Sequence, residues 1–135
     1  MSSSILDLHP PLDLLRHRPA KFEVQVYQSD LETPYGIQLT DKIRFRVWKT
    51  ADAASQVTCD NSAASANGST VAIDTRGATG TTPAKATIVL TATDVDQFAS
   101  TDTVYWEAAV LVAAESNNPY VFERGQFTVI DNANA

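Results

Sequence analysis

Cysteine is almost absent. Cys59 is the single one in 135 residues, which excludes an intramolecular disulfide and any zinc site built on paired cysteines. Histidine is nearly as scarce: His9 and His17 both fall in a proline-broken leader, with no strand end to hold either to catalytic tolerance. No Gly-x-Ser-x-Gly elbow, phosphate-cradling glycine loop or His-Glu-x-x-His pair occurs. The chain is therefore not expected to be an enzyme, and no cofactor is implied. No apolar run approaches the roughly 20 residues that span a bilayer, so a membrane partner is not expected. Residues 1–10 lack the basic start and unbroken apolar stretch of a secretory signal, which points to synthesis and residence in the cytoplasm until assembly. Charged residues make up only 19%, and the polar share leans on Thr, Ser and Asn, a mix that favours strands and turns over surface helices.

The formal charge is −6, which disfavours a nucleic-acid backbone as partner. That charge is unevenly spread. Residues 1–50 hold seven basic residues (Arg16, Arg18, Lys21, Lys42, Arg44, Arg46 and Lys49) against six acids, whereas residues 51–135 hold three basic residues against ten acids. An acidic body with a locally basic N-terminal part suits docking against copies of itself or other subunits.

Residues 1–20 read as an N-terminal arm. Ile5, Leu6, Leu8, Leu12, Leu14 and Leu15 are apolar, but Pro10, Pro11 and Pro19 forbid a long helix, leaving at most one or two turns over 12–18. From Lys21 the period becomes two, giving strands around Phe22–Val26 and Ile43–Val47, the latter with a basic outer face. Asn67-Gly68 suits a hairpin turn and predicts that Val57–Cys59 pairs with Thr70–Ile73. Further strands follow at Ala86–Leu90, at Val104–Val112 with Tyr105, Glu107 and Ala109 facing out, and at Tyr120–Ile130, where Gly125 marks a bulge or kink. A short helical turn is expected at Thr93–Phe98, capped by Thr93 or Asp94. The fold class is all-β: an immunoglobulin-like antiparallel β-sandwich of about seven or eight strands with an extended N-terminal arm, the sandwich running over 21–131 and a short tail over 132–135.

Asp94, Asp96 and Asp102 form the best cluster for a hard cation, but acids in a first helical turn are explained by orphan amides and no metal site is assigned. Trp106 falls in phase with Val104 and Val110 and belongs to the core. Trp48 falls out of phase with Phe45 and Val47, which makes it the candidate for an exposed contact, either with protein or, with neighbouring tyrosines, with carbohydrate.

The strings Ala86-Thr87-Ile88-Val89-Leu90-Thr91-Ala92-Thr93-Asp94, Thr103-Val104-Tyr105-Trp106-Glu107-Ala108-Ala109-Val110 and Arg124-Gly125-Gln126-Phe127-Thr128-Val129 resemble small immunoglobulin-like structural proteins of tailed bacteriophages, similar to the N-terminal domain of the baseplate upper protein. Ile43–Lys49 and Phe22–Val26 are similar to that family's second and first strands. The likeness covers roughly residues 21 to 131; the leader has no counterpart in the short relatives. What the resemblance implies is a virion structural protein, first a capsid decoration or cement subunit and alternatively a tail or baseplate component. A carbohydrate-binding adhesion module is the alternative from another class. The implied partners are other virion proteins and copies of itself, met through Ile5, Leu6, Leu8, Leu12, Leu14, Leu15, Arg16, Arg18 and Trp48. On this reading, deleting residues 2–20 leaves a folded sandwich that no longer joins the particle.

Overall fold

The computed structural model describes residues 13–28, 30, 32–49 and 56–131. Among these residues eight strands run in chain order: β1 Asp13–Leu15, β2 Ala20–Gln25, β3 Lys42–Lys49, β4 Val57–Asp60, β5 Thr70–Thr75, β6 Lys85–Leu90, β7 Val104–Val112 and β8 Asn118–Ile130. A single helical turn, α1 Ala92–Val95, separates β6 from β7. The strands form two sheets, ordered β1-β8-β7-β3-β4 and β2-β6-β5. Setting three strands against the sheet that carries the chain's last hairpin gives the strand order of an immunoglobulin-like sandwich.

Alternation decides which side chains meet between the sheets. Phe22 and Val24 of β2, Ile43, Phe45 and Val47 of β3, and Val104 and Trp106 of β7 are buried, each two residues from the next as a pleat requires. Four rings close the centre. Phe22 packs edge-on to Phe45 at 5.4 Å, Phe45 stacks on Trp106 at 5.7 Å, Trp106 stacks on Phe127 at 5.9 Å, and Phe127 returns to Phe22 at 6.1 Å. One ring comes from the small sheet and three from adjacent strands of the large one, so the cluster ties the layers together.

Several local expectations are corrected. Asp13–Leu15 is a strand rather than a helical turn, and it pairs with β8 in parallel, Leu14 opposite Val129. The sheets are thus not wholly antiparallel. The first and last strands meet at a sheet edge, and the whole sandwich serves as the crossover between them. The sandwich accordingly begins at residue 13 or before rather than at 21. β4 and β5 do not pair; β4 lies on β3 and β5 on β6. The Asn67-Gly68 turn, with Gly68 at φ +92°, instead lies in the connection that passes from one sheet to the other.

That crossing is pinned by Asp94, which is buried. Its carboxylate accepts hydrogen bonds from Ser65 Oγ at 2.6 Å, Asn67 Nδ2 at 3.0 Å and Gln97 Nε2 at 2.8 Å, and from Ser69 Oγ. The cap of α1 is Thr91, whose Oγ1 accepts from the Asp94 amide, rather than Thr93 or Asp94. In β8 the extra residue is Phe122, since Ala108 faces Glu123 while Ala109 faces Val121. Gly125 is not the bulge. It lies opposite Trp106, and a Cβ there would sit 3.0 Å from the indole Nε1, so its missing side chain makes room for the largest core ring.

Candidate functional site

Two surfaces of the large sheet bring together the residues that the sequence singles out. The first is its β1 edge. Within β1, Leu14 points inward and is 1% exposed, whereas Leu15 is 43% exposed. Leu15 pairs with Ile130, itself 39% exposed. Two of the three exposed large hydrophobics among the described residues are therefore neighbours on one strand pair, and among the described strands β1 has a partner on one side only.

The chain beyond β1 is clipped to the body. The Arg16 amide donates to the Ile130 carbonyl at 3.0 Å and the Arg16 guanidinium lies 3.3 Å from Asp131. His17, held at φ 70°, donates its amide to Asp96 at 2.6 Å and places Nδ1 3.1 Å from the same carboxylate. The amide of His17 holds the Asp96 carboxyl below its ordinary pKa. Leu14 and Arg16, both expected to meet a neighbour, are thus engaged within the chain, because a three-residue strand buries one side chain and aligns the next on β8. Arg18 and Leu15 remain exposed. Ile5, Leu6, Leu8 and Leu12 lie outside the described residues, as do His9 and the tail 132–135.

The second surface is the outer face of β3, β7 and β8. Registration lays its side chains in two adjacent rows, Trp48–Tyr105–Gln126 and Arg46–Glu107–Arg124. Trp48 is half-buried. Its ring lies 6.1 Å from that of Tyr105 at 31°, and Arg46 Cζ sits 5.2 Å from the indole centroid in a cation–π contact. Glu107 faces outward, as alternation requires, yet is only 7% exposed. It is covered by arginines, with Arg44 Nη2 at 3.2 Å, Arg46 Nε at 3.1 Å and Arg46 Nη2 at 2.9 Å all on Oε2. Between the rows runs a groove of about 380 Å³ lined by Trp48, Tyr105, Trp106, Glu107, Arg124, Gly125 and Gln126.

No family model and no curated protein matches the chain. Among solved structures, one chain from work on the structural basis of T cell specificity and activation by the bacterial superantigen toxic shock syndrome toxin-1 is similar with a TM-score of 0.49 and 13% identity. The match covers 89% of this chain and 94% of that one.

The remaining polar groups do structural work. Burial, reinforced by Asp94 and Asp60, pushes the Cys59 thiol up to about 12, so it stays protonated and unreactive. Asp94 is saturated by hydroxyl and amide donors, while Asp96 and Asp102 turn to His17 and to the Ala99 amide respectively. Among the described residues, no group of three or more His, Cys, Asp or Glu is placed to hold a metal ion, and no helix is long and apolar enough to cross a membrane. The sequence does not flag Ile130, Arg124 or the solvent-facing Leu39. Ile130 ends an alternating run whose phase does place it outside, so the signal exists once the strand's inward face is known.

Proposed function

We propose that the protein is a non-enzymatic structural subunit of a bacteriophage virion, a capsid decoration or cement protein, that seats on its neighbours through the β1 edge. The observation that carries this reading is the Leu15–Ile130 pair, two exposed apolar side chains in register beside a strand edge that no other described strand covers. An unpaired edge is a template for added strands, and apolar exposure there invites cover. The apolar leader residues Ile5, Leu6, Leu8 and Leu12 enter the chain directly before this edge, so leader and edge would bury a continuous strip against one neighbour. Burial is worth about 25 cal/mol per Å² of apolar area before ordering costs, and repetition over a symmetric shell multiplies a modest contact into strong retention. The subunit would be made in the host cytoplasm and would end in the particle, meeting other virion proteins and copies of itself.

The test is incorporation. Quantitative mass spectrometry of purified particles should find the chain at fixed stoichiometry, and immunogold labelling should place it on the head rather than on the tail or baseplate. The double variant L15D/I130D changes only exposed positions; it should stay folded and drop out of the particle. A folded double variant incorporated at full occupancy, or particles that lack the wild-type chain, would overturn the proposal.

A further inference from the structure

The outer-face groove is independent of the β1 edge, and its charge is unbalanced. Glu107, the acid among its lining residues, already receives Arg44 and Arg46. Arg124, paired in register with Glu107, is exposed and makes no hydrogen bond or ion pair with any described residue. Among the described residues its guanidinium has no partner; it lines the groove, with the exposed Gln126 amide two residues along the same strand. On a chain of net charge −6, a pocket lined by Arg124 and by one acid that Arg44 and Arg46 already neutralise is locally cationic, and the complementary ligand is an anion.

The shape narrows the class. Tyr105 lies beside Trp48 with an interplanar angle of 31°, and the two rings, the indole carrying Arg46 over one face, form a ledge along one wall. The arginine row lies roughly 7 Å away, two residue rises along a strand. An acidic peptide recognised by its backbone would seek a strand edge. This groove lies on a sheet face and offers rings, a guanidinium and an amide beside the arginine-paired Glu107 carboxylate. A pyranose presents an apolar C–H face to aromatic rings and hydroxyls to an amide, and a carboxylate on the same ring spans to the guanidinium as a two-point, charge-assisted contact. The volume is within the range of pockets that hold one small ligand.

We propose that this groove binds a carboxylated sugar residue of an acidic saccharide, with the carboxylate on Arg124, the ring on the Tyr105–Trp48 ledge and hydroxyls on Gln126. The inference does not rest on the virion reading, and particle incorporation does not enter its test.

The experiment is an amide-shift NMR titration of the isotopically labelled full chain with methyl β-D-glucuronide, its methyl ester, methyl β-D-glucoside and N-acetylneuraminic acid, with polyglutamate as the peptide competitor. Signals of β7 and β8 residues around the groove should move with at least one of the two acids, and the ester and glucoside should bind about tenfold more weakly, the loss of one charge-assisted contact. R124Q should lower acid affinity to that of the neutral sugar, while K85Q, on the opposite sheet, should change nothing. Y105A should weaken acid and neutral sugars together, and the amide spectrum of each variant reports that it is folded. Absence of shifts with both acids, equal affinity for acid and ester, an unaltered response in folded R124Q, or groove shifts with polyglutamate alone would each overturn the proposal.

Discussion

Leu14 offers the sharpest test of where the body of the molecule begins. If residues 1–20 were a detachable arm, truncating Leu14 in the isolated chain would remove contact with a neighbour and leave stability unchanged. The structure instead buries the side chain to 1% exposure, opposite Val129 on β8. Leu14→Ala then removes buried methyl groups and leaves a void, at a cost of about 3 kcal/mol within the 2–5 kcal/mol span of such changes. For a chain of this size each kcal/mol lowers Tm by about 3–4 °C, so a drop of about 10 °C is expected. The assay is thermal and urea unfolding followed by circular dichroism, with Leu15→Ala as the paired control. Leu15 is 43% exposed, and its truncation should stay within about 0.5 kcal/mol of wild type. Removal of residues 2–18 should cost more than L14A, because the β1 ladder and the Arg16–Asp131 and His17–Asp96 contacts are lost with it. An L14A chain that melts with the wild type would refute the reasoning and restore the boundary at residue 21.

Two further outcomes follow from the core. Gly125→Ala places a Cβ 3.0–3.1 Å from three indole atoms of Trp106 and should destabilise by about 1–3 kcal/mol with a change in near-ultraviolet dichroism, since the ring is boxed in by Phe45 and Phe127; an unchanged spectrum and melt would show that the ring yields freely. Glu123 titrates late: burial raises its carboxyl from 4.5 to about 8, so the native state retains a proton that the unfolded chain has released. Its favourable contribution is complete at low pH and is lost as pH rises through the folded value. Stability should therefore fall between about pH 5 and about pH 9 in the wild type and fall less in E123Q, as read from urea midpoints; identical pH profiles would contradict the assignment.

The sequence discloses those strands whose two faces differ. β2, β3, β6 and β7 each carry at least three alternating positions, enough for period two to stand out, and Trp106 is legible as core from phase alone. β1 is not legible. Three residues flanked by Pro10, Pro11 and Pro19 cannot display a period, and its pairing is with a strand more than a hundred residues away. The β4–β5 hairpin is a failure of local inference. Asn-Gly is a sound turn signal, but the turn serves a crossing between sheets that is held by Asp94, almost thirty residues downstream. The outer-face site was half visible. Trp48 shows itself by falling out of phase, whereas the place of Arg124 opposite a Glu107 already taken by Arg44 and Arg46 depends on three-strand register.

The two surfaces proposed for the large sheet use different physics and need not compete. At the β1 edge, Leu15 and Ile130 offer apolar area beside a backbone edge that no other described strand covers, which suits a large, sequence-tolerant contact with a neighbouring chain. On the outer face, Glu107 draws in Arg44 and Arg46 and so holds Arg46 over Trp48, while Arg124 has no partner among the described residues. Register makes that division possible. Arg46, Glu107 and Arg124 lie in one row across β3, β7 and β8, and one acid in such a row can neutralise the arginines on its β3 side while the β8 arginine stays available. A one-residue slip of β8 would turn Arg124 inward and Gly125 outward, removing the groove's guanidinium and the space under Trp106 together. The glycine that admits the core ring and the arginine that faces the groove are adjacent in sequence, so core packing and surface chemistry hold the same register.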